Sequence, residues 1–153
     1  METAVILHNI RSAHNVGSIF RTADAAGVKK IYLTGYTPTP VDRFGRVQKE
    51  IAKTALGAEK YIEWEYKKEI GSVIQKLQGK KCSVVAVEQA PHSKSFQVFK
   101  PVKNTVFVFG NEVRGLSKQV LEKCDEIIEI PMRGKKESLN VAVSAGIILF
   151  GVK

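Results

Sequence analysis

Three short segments of the chain carry polar side chains of the types that bind ligands or take part in catalysis. In the first segment, Asn15 is followed six residues later by Arg21, within a stretch whose apolar residues have helical spacing. Taken alone, an arginine on a helix is typical of a solvated face, and pairing with an anionic group is the functional alternative. Six residues span roughly 9 Å of helix axis, and helical side chains lean toward the N-terminus. We therefore expect the Arg21 guanidinium to reach back over the loop that holds Asn15.

The second segment, residues 110–116, has the sequence GNEVRGL and follows a β-branched and aromatic run at 105–109. Its two glycines allow the backbone to approach a ligand closely. The segment is not G-x-G-x-x-G and lacks the Lys-Ser/Thr pair of a phosphate-binding loop, so it does not favour a nucleotide phosphate. Glu112 taken alone is equally consistent with a carboxylate that complements the positive end of a helix dipole.

The third segment, residues 130–149, begins with Ile-Pro-Met, continues through a charged loop at 133–137 and ends in an apolar run. Ser138 is a good N-cap residue, so we predict that a helix begins there. A helix that is apolar on all sides is buried in a core or against another subunit, and this one is too short to span a bilayer. Free amides at its N-terminus favour a bound ligand near Ser138 and Asn140, although simple capping explains the same residue types.

Apolar periodicity predicts the elements that position these segments. Strands are predicted at 3–7, 31–34, 61–66, 83–87, 105–109 and 126–130. A first helix is predicted to run to about Ala26, with Asn15 or Ser12 as its cap, and further helices at 46–56, 68–77 and 116–123 and after Ser138, with loops at 35–44 and 88–103. This alternation is typical of an α/β fold with a mainly parallel sheet. Ligands of such folds bind beyond the carboxyl ends of the strands, where the three segments lie.

Length and composition narrow the function classes. The 153 residues show no linker, repeat or low-complexity segment, so we expect one domain over 1–153. The net charge of +9 fits a nucleic-acid partner, although a basic protein without such a partner fits the charge about as well. Cys82 and Cys124 form no CxxC pair and no signal peptide is present, so we expect reduced thiols in a cytoplasmic protein with no membrane contact. The scattered histidines disfavour a metal site.

Together the three segments resemble the motifs of the SpoU (TrmH) family of SPOUT methyltransferases. The family's first motif, an Asn followed by an Arg in a helix, is matched at 15–21. Its G-x-E-x-x-G-L motif is matched at 110–116, and its I-P-M, loop, S-L-N-V motif at 130–141. Residues 53–59, KTALGAE, also resemble a segment common in the family, whereas Ala142 departs from it because many members have serine there. The motifs occur in the family's order and cover both ends of the chain.

The resemblance implies transfer of a methyl group from S-adenosylmethionine to a ribose 2′-hydroxyl of tRNA or rRNA. It also implies a C-terminal trefoil knot, in which the segment around 130–140 threads a loop, and a homodimer with the helix at 139–149 at or near its interface. True knots are too rare to be proposed from sequence pattern alone. The cofactor would lie in the knot, lined by Val87, Gly110, Ile130, Met132, Ser138 and Leu139.

The resemblance further implies catalytic roles for Arg21, Asn15, Glu112, Ser138 and Asn140. The family proposal makes Arg21 the general base, but a guanidinium does not readily lose its proton in a protein. A second role is therefore open, in which Arg21 pairs with the RNA phosphate and the developing oxyanion. Glu112 and Asn15 would orient Arg21 or the ribose, and Ser138 and Asn140 would position the phosphate or the hydroxyl.

Two other functions remain open at this point. One is a catalytically silent RNA-binding module on the same fold, which is weakened because every implied catalytic residue is present. The other is a small-molecule enzyme that uses a different nucleotide, which would leave the positive charge unexplained. Because the chain begins at the first strand, we expect RNA recognition to come from the catalytic domain across both subunits. The basic residues at 43–53 are a candidate surface for it, and the target RNA and nucleotide stay open.

Overall fold

Seven strands form the sheet at the centre of the protein. In the computed structural model, which describes residues 1–152, they are β1 (Thr3–His8), β2 (Lys30–Thr34), β3 (Glu63–Lys67), β4 (Ser83–Val87), β5 (Lys94–Ser95), β6 (Thr105–Phe109) and β7 (Glu126–Glu129). Their order is β3-β2-β1-β6-β4-β7-β5, and every pairing between them is parallel. The predicted α/β class with a mainly parallel sheet is confirmed.

Helices cover both faces of the sheet. They are α1 (Ala13–Ala25), α2 (Lys49–Ala55), α3 (Ile70–Gly79), α4 (Lys118–Lys123) and α5 (Val141–Gly151), with a 3-10 turn at Ala58–Lys60. Helices α1, α2 and α5 pack on one face around Phe20, Ile51 and Ile148. Helices α3 and α4 pack on the other face around Ile74 and Val120. All five residues of β6 are buried, which explains why its sequence TVFVF shows no polar alternation.

Several predicted boundaries are shifted by two or more residues: α3 spans Ile70–Gly79 rather than 68–77, β3 begins at Glu63 rather than at 61, and three helices begin later than predicted for reasons seen in local contacts. Helix α2 begins at Lys49 rather than at residue 46, because Val41 and Val47 pair as an antiparallel bridge. Helix α4 begins at Lys118, where the Ser117 side chain caps it. Helix α5 begins at Val141 and its N-cap is Asn140 rather than Ser138. The predicted loop at 88–103 also contains the two-residue strand β5.

Helix α5 is only partly buried, although its sequence is apolar on all sides. Ala145 and Ile148 are fully buried against the rest of the chain, whereas Val143 is 51% exposed and Phe150 54% exposed. One side of an apolar helix therefore has no partner within the part of the chain that the structure describes. Within that part, no helix is both long and apolar enough to cross a membrane. The threading of the chain into a knot stays a prediction.

Candidate active site

A cleft of about 140 Å³ opens at the carboxyl ends of β4, β6 and β7. The residues that line it come from the last residues of these three strands, from the loops after them and from the start of α5. They include Val87, Glu88, Gln89, Phe109, Gly110, Asn111, Glu112, Glu129, Ile130, Met132, Ser138, Leu139, Val141 and Ser144. The structure thus places all six residues that the resemblance implies for cofactor binding around one cleft, together with Glu112.

The Glu112 carboxylate joins the loop after β6 to the start of α1. Its two oxygens accept hydrogen bonds from the backbone amides of Arg11 and Ser12, both at 2.9 Å, and from Asn15 Nδ2 at 3.2 Å. Partial burial would by itself raise the pKa of this carboxyl, but the amide and side-chain donors outweigh burial and lower the pKa below its ordinary value. Glu112 is therefore ionised at neutral pH. It complements the N-terminus of α1, not that of the helix following its own strand.

Asn15 and Asn140 extend this contact to α5. Asn15 is only 9% exposed, and its Oδ1 accepts a hydrogen bond from Asn140 Nδ2 at 3.3 Å. Asn140 Oδ1 in turn accepts from the amides of Ala142 at 2.8 Å and Val143 at 3.4 Å, which makes it the cap of α5. Glu112, Asn15 and Asn140 thus form one hydrogen-bonded set, which we call the asparagine–glutamate bridge, and it holds one residue from each of the three motifs.

Arg21 lies apart from this cleft. It lines a second cavity of about 510 Å³ between α1, α2 and the end of α5, together with Ser18, Thr22, Ala25, Lys53, Thr54, Leu56 and Phe150. The expectation that its guanidinium reaches back over the loop of Asn15 is therefore wrong in the isolated chain. The reason is rotational, because six residues of an α-helix place two side chains about 120° apart around the axis. Asn15 is buried and faces the asparagine–glutamate bridge, whereas Arg21 is exposed.

Two residues that shape the cleft were missed by sequence reasoning. Asn111 is buried and donates from Nδ2 to the Asn9 carbonyl at 3.0 Å and to the Tyr36 hydroxyl at 2.9 Å, while its Oδ1 accepts the amides of the two residues at 113 and 114. Glu88 accepts the Leu116 amide at 2.8 Å. Asn111 stands inside the glycine-rich motif and could have been suspected as a turn residue. For Glu88, the sequence gives no signal other than its position directly after a predicted strand.

The charge of the cleft is opposite to that of the chain. Glu88, Glu112 and Glu129 line it, whereas no lysine or arginine of residues 1–152 does so, although the chain has a net charge of +9. Carboxylates favour a ligand that carries positive charge and disfavour a phosphate. Over the same residues, no group of three or more His, Cys, Asp or Glu side chains is placed to hold a metal ion.

A fully parallel sheet with a cleft at the carboxyl ends of adjacent strands defines an α/β ligand-binding domain. Residues 2–150 of the chain match the model of the SpoU rRNA Methylase family, and the chain belongs to that family.

Individual relatives are similar over nearly the whole chain. A tRNA (guanosine(18)-2′-O)-methyltransferase of Aquifex aeolicus is 34% identical over 149 residues, which cover 95% of this chain and 66% of the relative. A crystal structure of an A. aeolicus TrmH/SpoU tRNA modifying enzyme has a TM-score of 0.84 at 30% identity and covers 97% of this chain and 72% of that one. The AdoMet-bound rRNA methyltransferase of Sinorhizobium meliloti has a TM-score of 0.86 at 31% identity, with 97% and 54% coverage. The chain spans 58 to 66% of the length of three curated relatives, among them the A. aeolicus methyltransferase.

Proposed function

We propose that this protein transfers a methyl group from S-adenosylmethionine to a ribose 2′-hydroxyl of tRNA or rRNA. The observation that carries the proposal is the cleft, because the second and third family motifs line it, Asn15 of the first motif is bound to Glu112 at its edge, and its side chains suit this cofactor. Relatives support each part of the proposal. The A. aeolicus relative is named as a 2′-O-methyltransferase of tRNA, and the S. meliloti relative was crystallised with AdoMet.

The residues around the cleft fit the chemistry of S-adenosylmethionine. This cofactor carries a positively charged sulfonium and supplies a methyl group that is already activated for transfer. The carboxylates of Glu88, Glu112 and Glu129 favour that charge. Apolar side chains at Val87, Ile130, Met132 and Leu139 would pack against its adenosine, with Gly110 allowing close backbone approach and the Ser138 hydroxyl offering a polar contact.

The asparagine–glutamate bridge has a positioning role in this proposal. Both oxygens of Glu112 are used by donors of the α1 N-terminus, so Glu112 acts by fixing Asn15 and the loop around it. Asn15 fixes Asn140, which caps α5 and thereby sets the end of the loop that carries Ser138. Ser138 then positions the reacting hydroxyl, because the carboxylates of the cleft disfavour a phosphate at this place.

Arg21 supplies positive charge to the RNA backbone and to the oxyanion that develops on the ribose. Its cavity is bordered by Phe150, which lies on the exposed apolar side of α5. We include in the proposal a homodimer that packs on this side of α5. A partner subunit there would exclude water from the surroundings of Arg21 and so strengthen its attraction for a phosphate or an oxyanion.

The test is transfer of labelled methyl from S-adenosylmethionine to unmodified bulk tRNA and rRNA, followed by digestion to nucleosides. Arg21→Ala should abolish most of the transfer and leave cofactor affinity, measured by calorimetry, nearly unchanged, because Arg21 lies outside the cleft. Lys76→Ala is the matched control, since it removes an exposed cation from α3 on the other face of the sheet. It should retain full transfer.

Label in a 2′-O-methylated nucleoside that is lost in Arg21→Ala would support both the reaction and the role of the arginine. Equal loss of transfer and of cofactor affinity in that variant would contradict the division of roles between the two cavities. Cofactor binding by the wild type without transfer to any RNA would overturn the enzymatic proposal in favour of a silent RNA-binding module.

A further inference from the structure

The segment between β2 and α2 folds into a short, closed hairpin. Val41 and Val47 pair in antiparallel fashion, and the Asp42 amide donates to the Arg46 carbonyl at 2.9 Å. The Asp42 carboxylate accepts the amides of Phe44 and Arg46 and the Arg46 Nε, each at 2.9 Å. Gly45 has a φ of +78°, as the turn requires. Residues 42–46, which we call the hairpin tip, are therefore fixed by their own hydrogen bonds.

The hairpin tip exposes an aromatic ring between two cations. Phe44 is 66% exposed and belongs to neither hydrophobic core. The guanidinium carbons of Arg43 and Arg46 lie 4.9 and 5.0 Å from the centroid of the Phe44 ring. Aromatic rings and guanidinium planes both stack on nucleobases, and guanidinium groups also pair with phosphate. The hairpin tip therefore offers a stacking surface and positive charge in one rigid unit.

Both ends of the hairpin are attached to elements of the candidate active site. Before it, Tyr36 is bound by Asn111 at the rim of the cleft, and Thr37 Oγ1 donates to the Leu7 carbonyl at 2.9 Å and accepts the Ile10 amide at 3.0 Å. After it, the chain enters α2, where Thr54 lines the cavity of Arg21. The hairpin thus lies in the chain between Tyr36, which is bound at the rim of the cleft, and Thr54, which lines the cavity of Arg21. Because it follows β2, it emerges at the carboxyl edge of the sheet, where the cleft also opens.

We propose that the hairpin tip binds an unpaired nucleotide of the RNA substrate. The base stacks on Phe44, and the adjoining phosphate pairs with Arg43 or Arg46. The inference rests on the proposed function, because that function makes RNA the partner. It goes beyond it by assigning single-stranded RNA to a particular surface. A paired base within a duplex has both faces covered by its neighbours, so this surface selects a single strand.

The experiment measures binding of fluorescein-labelled dodecauridylate, and of an RNA duplex of the same length, by fluorescence anisotropy with the full chain. Phe44→Ala should weaken binding of the single strand about 5- to 150-fold, from the usual contribution of one stacked base, and should leave duplex binding nearly unchanged. Phe44→Tyr should bind the single strand as tightly as the wild type, because it keeps the aromatic ring. Arg43→Gln should reduce the dependence of affinity on salt, because one phosphate contact is lost.

Tyr61→Ala is the matched control, since Tyr61 is an aromatic residue that is 78% exposed just before β3, at the amino-terminal edge of the sheet. It should bind the single strand as the wild type does. Equal affinity of Phe44→Ala and Tyr61→Ala for the single strand would overturn the proposal. A change in oligomeric state in Phe44→Ala, with RNA affinity unchanged, would also overturn it, because the hairpin tip would then contact protein.

Failure of the proposed function would look different. In that case Phe44→Ala would still lose affinity for the single strand, whereas the wild type would transfer no methyl group to tRNA or rRNA. Normal methyl transfer by the wild type, together with a Phe44→Ala variant that binds the single strand as tightly, would instead overturn only the assignment of the hairpin tip.

Discussion

Replacement of Glu112 by glutamine tests whether the asparagine–glutamate bridge holds the site together. The carboxylate accepts three hydrogen bonds, two from backbone amides and one from Asn15. Glutamine has a single acceptor oxygen at its side-chain end, so it can keep at most the pair that Oε2 makes with Ser12 and Asn15. Its NH2 group then points at the Arg11 amide, where two donors face each other.

The size of the effect follows from the number and type of these bonds. A hydrogen bond to a charged group contributes about 1.5 kcal/mol at the lower end of its range, which suits a half-exposed carboxylate, and a neutral one contributes about 1 kcal/mol. Three charged bonds replaced by two neutral ones lower the free energy of unfolding by about 2.5 kcal/mol. For a chain of this size, such a loss lowers Tm by about 5 to 10 °C.

The effect should depend on pH in a defined direction. The pKa of Glu112 is lowered in the folded protein relative to its ordinary value of 4.5. The ionised carboxylate therefore stabilises the fold fully above that ordinary value, and its contribution is lost as the pH falls through the lower pKa of the folded state. Below that point the wild type carries a neutral carboxyl, which resembles the neutral amide of Glu112→Gln, so the difference in Tm should shrink.

Thermal unfolding followed by circular dichroism at pH 7 and at about pH 3 measures both effects. Glu122→Gln serves as the control, because Glu122 is exposed on α4 and makes no side-chain hydrogen bond or ion pair within residues 1–152. At neutral pH its Tm should equal that of the wild type. The reasoning would be refuted if Glu112→Gln had the same Tm as the wild type at neutral pH. It would also be refuted if the difference in Tm between the two proteins were the same at about pH 3 as at pH 7.

Three further predictions concern packing, capping and thiol chemistry. Gly17→Ala should lower the free energy of unfolding by about 1–3 kcal/mol, because an added Cβ would overlap the Thr54 hydroxyl, whereas Gly134→Ala, which meets open space, should be neutral; denaturant titration compares them, and equal midpoints would count against the packing argument. Asn140→Ala should cost about 0.5–2 kcal/mol in the same assay through the lost cap of α5, and an unchanged midpoint would show that the cap contributes nothing. Burial raises the pKa of Cys124 to about 11, so mass spectrometry should find it alkylated by iodoacetamide at pH 8 only after unfolding; rapid alkylation of the folded protein would contradict this.

The fold was predictable because its signals are local and strong. The run at 105–109 has no polar residue after its first threonine, and it became the fully buried β6. Gly27, with a φ of +80°, follows the end of α1 as its residue type suggests. Once the strands were known to be parallel, their carboxyl ends had to share one edge. This explains why residues as distant in sequence as Val87 and Leu139 could be expected around one cleft.

What sequence reasoning missed depends on rotation and on tertiary contacts. The number of residues between Asn15 and Arg21 gives their separation along the axis of α1, but it says nothing about the direction in which each side chain points. Ser138 and Asn140 are both good N-cap residues. Asn140 takes the cap in the structure, where its Nδ2 is bound to Asn15 on another helix. The exposed Phe44 between two guanidinium groups also becomes apparent only after the hairpin is folded.

The asparagine–glutamate bridge also determines how variants of the site must be interpreted. Asn15, Glu112 and Asn140 each make hydrogen bonds that join different elements, so their replacement disturbs the fold and the site together. A loss of activity in these variants is evidence of a chemical role only to the extent that it exceeds the loss of stability. For Arg21 and Ser138, no side-chain hydrogen bond is found within residues 1–152, and both line cavities. We therefore expect their replacement to leave the scaffold intact, which makes them more direct probes of catalysis and of phosphate binding.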